Sequence, residues 1–111
     1  MTPREVLQGI RELLTPASAW TTTKYAKDRF GYSVRPYSKE AQCFCLLGAV
    51  CRVTASSVVW PSEDTVQADA INLLIKAMPE HYRGSDLVRF NDLSTHEEVL
   101  ALIDRGIEIA T

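Results

Sequence analysis

The stretch Cys43-Phe44-Cys45-Leu46-Leu47-Gly48-Ala49-Val50-Cys51 decides how this chain is read. It is apolar without a break, so on a helix it shows no polar face, and such a helix belongs in the middle of a fold. The pattern predicts that helix over about 39–53, entered through Arg35-Pro36-Tyr37 with Ser38 as its cap. Gly48 beside Ala49 lets another element approach the backbone. Glycine there costs roughly 1 kcal/mol of helix propensity relative to alanine, and close packing is the expected compensation. The run is far shorter than the roughly 20 residues a membrane span needs.

Outward from this centre the helical signals are local. Thr2-Pro3-Arg4-Glu5 carries a cap, a proline suited to the first helical position and the acid of a capping box. Val6, Leu7, Ile10, Leu13 and Leu14 form the stripe of that first helix, and Thr15-Pro16 ends it. Trp20 reads as a packing anchor between elements. Lys24 to Arg35 reads as a short hairpin turning through Asp28, Arg29, Phe30 and Gly31. Val58-Val59-Trp60 is expected to dock a linker. Ser62 is the expected cap of a third helix reaching Met78, with Glu63 and Asp64 in its first turn and Val66, Ala70, Leu73, Leu74 and Ala77 on its inner face. Glu80 to Leu93 reads as a long loop. A last helix follows Ser94 or Thr95, supported by Glu97 or Glu98 and lined by Val99, Leu100, Leu102, Ile103 and Ile107. The expected fold class is mainly α: a single compact helical domain over residues 1–111, of about four helices with a small β-hairpin.

Composition agrees. With 111 residues and 46% hydrophobic side chains the chain can bury a core, which argues against disorder and against a disulfide-held miniprotein. The formal charge of −2 averages over two unlike halves. Residues 1–55 hold eight bases and four acids, and residues 56–111 hold four bases and ten acids. Cys43, Cys45 and Cys51 are an odd count at spacings that suit neither a disulfide framework nor a zinc site, so a reduced, cytoplasmic protein is expected.

Phe44-Cys45-Leu46-Leu47-Gly48-Ala49, with Trp20 before it and Asn91-Asp92 and Val99-Leu100 after it, resembles a small family of uncharacterised bacterial and phage proteins. That family has an aromatic-Cys-x-x-Gly-Ala helix and a later Asn-Asp pair before the last helix. Its acidic, glycine-bearing turn after the tryptophan corresponds to Asp28 to Gly31. The resemblance implies a compact helical fold and a bacterial or phage origin. It brings no activity, substrate or cofactor, and the basic, aromatic decoration of the turn is this chain's own.

Three constellations have chemistry. Cys45, His96 and Asp92 are the one nucleophile–base–carboxylate set, although a thiol inside an apolar helical run is expected to be buried and inert. Trp20, Asn91 and Asp92 are candidate ligand-binding residues near Cys45; equally, Asn and Asp before a helix serve its backbone. Lys24, Tyr25, Lys27, Arg29, Phe30, Tyr32 and Arg35 are the candidate partner-binding residues: five bases between Lys24 and Lys39 face one acid, with aromatic rings between them. Such a segment binds a partner or is a solvated basic face. The acidic residues of the other half repel nucleic acid, mimic its phosphates or keep the surface soluble.

The expectation is a small non-enzymatic binding protein acting by protein–protein contact through the basic hairpin and the Arg83 to Asp92 loop, with nucleotide or nucleic acid as other ligands. In a phage, an inhibitor of a host defence system fits this size. The alternative is a small-molecule or nucleotide-binding protein, or an enzyme, with its pocket near Trp20, Cys45 and Asn91-Asp92. No catalytic residue, metal site, cofactor or membrane contact is expected.

Overall fold

Thr2 starts the first helix as its residues dictate. Its hydroxyl accepts from the Glu5 amide while the Glu5 carboxylate accepts from the Thr2 amide, and α1 runs Pro3–Leu14. In this computed structural model, which describes residues 1–56, 62, 64–82 and 86–110, a 3-10 turn at Ala17–Ala19 follows. After it come β1 (Ala26–Lys27), β2 (Cys43–Phe44) and α2 (Leu46–Thr54). Then come α3 (Val66–Ala77), a second 3-10 turn at Glu80–Tyr82, α4 (Leu87–Leu93) and α5 (His96–Ile109). The protein is mainly α, with five helices among the described residues and one small two-stranded sheet.

Burial follows the stripes read from the sequence. Val6, Leu7, Ile10 and Leu14 of α1 are sealed against Leu74 of α3 and Val99, Leu102 and Ile103 of α5, so α1 lies among α2, α3 and α5. Leu46 to Cys51 are all buried, as a helix without a polar face requires. Arg11 of α1 reaches Asp104 of α5 at 2.8 Å, which ties the basic half of the chain to the acidic half instead of leaving them as two blocks. No helix among the described residues is long and apolar enough to cross a membrane.

Five expectations are corrected. The central helix begins at Leu46 and not near Lys39, because Cys43–Phe44 pairs antiparallel with Ala26–Lys27, in the register Ala26 to Phe44 and Lys27 to Cys43. An unbroken apolar run cannot mark where a buried strand hands over to a buried helix. The hairpin is correspondingly smaller than expected. Its turn forms, with the Gly31 amide bonded to the Asp28 carbonyl and Lys27 bridged to Ser33, but the sheet partner of β1 comes from β2. Ser38 caps no helix; its hydroxyl accepts from the Glu40 amide in a turn.

The third helix starts at Val66, capped by the Thr65 hydroxyl and not by Ser62, whose carbonyl accepts the Thr65 hydroxyl instead. Finally, the expected loop 80–93 carries a 3-10 turn and α4, so Asn91-Asp92 lies inside a helix and not in front of the last one. The last helix is capped by Thr95 with Glu98 as its capping-box partner. Val58-Val59-Trp60, Glu63 and Arg83 lie outside the described residues.

Candidate functional site

Asn91 is fully buried on α4, and its amide is the hub of a polar node inside an apolar core. Its Oδ1 accepts from Trp20 Nε1 at 2.8 Å and from the Leu46 amide at 3.1 Å. Its Nδ2 donates to the Thr21 carbonyl at 3.0 Å and to Asp92 Oδ1 at 3.2 Å. An asparagine side chain has two acceptor lone pairs and two donor hydrogens, so all four places are taken within the chain. The node satisfies the first amide of α2, which has no intrahelical partner, and binds the segment after Trp20 to α4. Asp92 continues it: its Oδ1 also accepts from the Thr23 amide at 2.9 Å, holding Thr23 at a φ of 69°.

The N-terminus of α2 is closed from two further sides. Cys45 is the cap residue, and its sulfur accepts from the Gly48 amide at 3.4 Å. The Tyr25 carbonyl accepts from the Cys45 amide at 3.1 Å and lies so near Gly48 that a Cβ there would stand 1.9 Å from it. The expected close approach at Gly48 is therefore made by the Tyr25 backbone, just before β1.

Cys45, His96 and Asp92 are each engaged elsewhere: the Cys45 sulfur caps α2, His96 Nε2 meets the Leu14 carbonyl and Asp92 Oδ1 accepts from Thr23 and Asn91. Burial pushes the Cys45 thiol up to about 11, so it carries its proton at neutral pH. His96 Nε2 lies 2.6 Å from the Leu14 carbonyl, which can only accept, so that nitrogen bears the ring proton and joins the end of α1 to the start of α5. The His96 ring also packs against Trp20, with ring centres 5.9 Å apart. Among the described residues no three Cys, His, Asp or Glu side chains could hold a metal ion.

A cleft of about 360 Å³ opens beside the node, lined by Thr23, Lys24, Tyr25, Ser33, Val88 and Asp92, with Cys45 also on its wall. Of the three expected ligand-binding residues only Asp92 faces it; Trp20 and Asn91 are turned to the node. Ser33 and Val88 were not anticipated, because nothing local in the sequence marks them; the cleft exists only once α4 meets the segment after β1.

The basic, aromatic segment is differently placed. Phe30 and Tyr32 are 69% and 71% exposed, Tyr25 and Tyr37 are also exposed, and so are Lys24, Arg29, Arg35 and Lys39. Lys27 is half-buried in β1. Asp28 builds the turn: its Oδ1 accepts from the Phe30 and Tyr32 amides, both at 2.9 Å, which throws those side chains outward. The Arg29 guanidinium lies 4.7 Å from the centre of the Phe30 ring, and that of Arg35 lies 5.9 Å from the Tyr37 ring. The Tyr37 hydroxyl accepts from Arg35, which holds its guanidinium above its usual range. Arg52, near the end of α2, donates to the Pro36 and Ser38 carbonyls at 3.1 and 2.8 Å and pins the far end of the segment to the core. The sequence signal for this anchor is faint: one arginine ending an otherwise apolar helix.

The fold and these two regions describe a small helical protein with a sealed polar node and an exposed cationic, aromatic surface. The chain matches a family of unknown function, DUF6197, over residues 1–109, and it belongs to that family. No curated protein and no solved structure matches it.

Proposed function

We propose that this is a small non-enzymatic binding protein, bacterial or phage-encoded and cytoplasmic, that acts by contact with a protein partner through the Lys24 to Lys39 segment. In a phage the role that suits its size is inhibition of a host defence system, a reading by analogy and not from a motif. The observation that carries the proposal is the pair Phe30 and Tyr32, 69% and 71% exposed among the exposed cations Lys24, Arg29, Arg35 and Lys39. Large exposed aromatic side chains grouped with arginine are the usual anchors of protein interfaces. A buried, protonated Cys45 and a His96 already engaged with Leu14 favour binding over catalysis.

The test is the triple variant Lys24→Glu, Lys27→Glu and Arg29→Glu, used as bait in a lysate of the encoding host. The expected outcome is loss of the partner that the wild-type chain captures, with the helical circular dichroism retained. Capture at wild-type level removes the site.

The cleft beside Asp92 supports a second reading, a small-molecule or nucleotide-binding protein, since a carboxylate, an amine and three hydroxyl-bearing side chains line one concavity. A thermal-shift series with nucleotides separates the two. Under this reading a nucleotide raises the melting temperature, and Asp92→Ala abolishes the rise; a rise that survives Asp92→Ala places the ligand elsewhere.

A further inference from the structure

We infer, resting on the partner-binding reading above, that the occupant of the Lys24 to Lys39 surface is an acidic polypeptide segment whose carboxylates are gripped by Arg29, laid on the Phe30 ring, and by Arg35, held by the Tyr37 hydroxyl. The argument begins with charge. Among the described residues the ion pair is Arg11 with Asp104, and neither arginine of this surface has a carboxylate opposite it. The acid inside the segment, Asp28, uses its Oδ1 on two backbone amides. The positive field therefore points into solvent, complementary to an anionic partner.

The rings decide which anion. A guanidinium laid on an aromatic face is held in a plane, and its outer N–H fork is presented for bidentate contact with a carboxylate at reduced entropic cost. Arg29 on Phe30 has this form, while Arg35 is held through one Nη by the Tyr37 hydroxyl, which leaves its Nε and other Nη for a carboxylate. Arg52 fixes the backbone around Pro36 and Ser38, so the second pair stands on a braced support. A single-stranded nucleic acid asks for something else: bare ring faces for its bases and an unbroken cationic track for its backbone. Here the Phe30 ring carries a guanidinium and the Tyr37 hydroxyl holds another, leaving Tyr32 as an exposed ring with no guanidinium of the described residues on it. The cleft of about 390 Å³ between the turn and the segment before β2 has Asp28 and Glu40 among Arg29, Phe30 and Lys39. Interrupted positive charge suits carboxylates spaced along a peptide better than a continuous run of phosphates.

The experiment uses the full chain and three fluorescein-labelled probes: a glutamate-rich peptide, a serine-rich peptide of equal length, and an oligothymidylate matched in charge to the first. The glutamate-rich peptide is expected to bind, with the serine peptide not binding and the oligothymidylate weaker. The double variant Arg29→Lys and Arg35→Lys keeps the charge and loses the planar fork, and it should weaken peptide binding about tenfold. Phe30→Ala, which removes the ring and leaves Arg29, should weaken it in the same direction.

Preference for oligothymidylate, absence of peptide binding, or an affinity unmoved by the lysine variant overturns the acidic-segment assignment. If the peptide does not bind yet the triple glutamate variant still loses its cellular partner, this inference falls and the binding surface stands. If that variant keeps its partner, the underlying reading falls as well.

Discussion

Asn91 and Phe30 stand at opposite ends of one physical scale. The first is a polar side chain wholly removed from water, and the second an apolar one that is 69% exposed. Each is where its chemistry is least comfortable, but only one is compensated inside the chain. Asn91 makes four hydrogen bonds that join Trp20, Thr21, Leu46 and Asp92. The Phe30 ring is covered on one side by Arg29 and otherwise faces solvent. A buried polar group with every partner present is a structural device. An exposed ring without a packing role is a surface waiting for contact. The contrast moves the candidate site away from the asparagine that looked like a ligand-binding residue and towards the turn that looked like a hairpin tip.

That contrast can be broken most severely at Gly48. Gly48→Ala puts a Cβ 1.9 Å from the Tyr25 carbonyl oxygen, and backbone atoms on both sides leave nothing flexible to yield. The expected loss is about 3 kcal/mol or more, read from urea unfolding, since overpacking against backbone lies at the upper end of its range. A variant as stable as wild type would mean that the Tyr25 backbone does not sit on α2.

Asn91→Ala should follow at about 2–3 kcal/mol. It leaves the Trp20 indole N–H and the Leu46 amide without their acceptor, and burial of unsatisfied groups is costly. Tryptophan fluorescence should shift as the indole loses its partner, while binding at the Lys24 to Lys39 surface survives in the folded fraction. Smallest of all, Phe30→Ser with Tyr32→Ser should change stability by no more than about 0.5 kcal/mol, because exposed positions without partners tolerate substitution. A large destabilisation there would show that the rings pack on the fold and would erase the difference between the two regions.

The legibility of the chain divides along the same line. The capping boxes of Thr2 with Glu5 and Thr95 with Glu98 could be read at once, because their partners lie three residues apart and no distant group is needed. The turn at Asp28 to Gly31 was legible for the same reason. The start of α2, the pairing of β1 with β2 and the existence of α4 were not. Cys43 and Phe44 look like helix until Ala26 and Lys27 arrive as a strand beside them. Asn91 and Asp92 look like a loop until Leu87 and Phe90, both nearly sealed from water, give their helix a face to bury. At the site, the cationic and aromatic character of residues 24–39 was visible in the residues themselves. That Asn91 is used up, that Arg52 braces the segment, and that Ser33 and Val88 share a cleft with Asp92 were not.

By itself, then, the sequence determined what local chemistry determines: where α1 and α5 begin, which stripes are apolar, that Gly48 must meet a close neighbour, and that one segment concentrates bases and rings. The tertiary structure decided what depends on partners far along the chain: which backbone comes down on Gly48, which amides Asn91 satisfies, and which aromatic side chains stay in water. The reason is that a cap or a turn is completed within a few residues. Burial and hydrogen-bond saturation are properties of the packed whole, and they separate the residue that holds this fold together from the residues left in water.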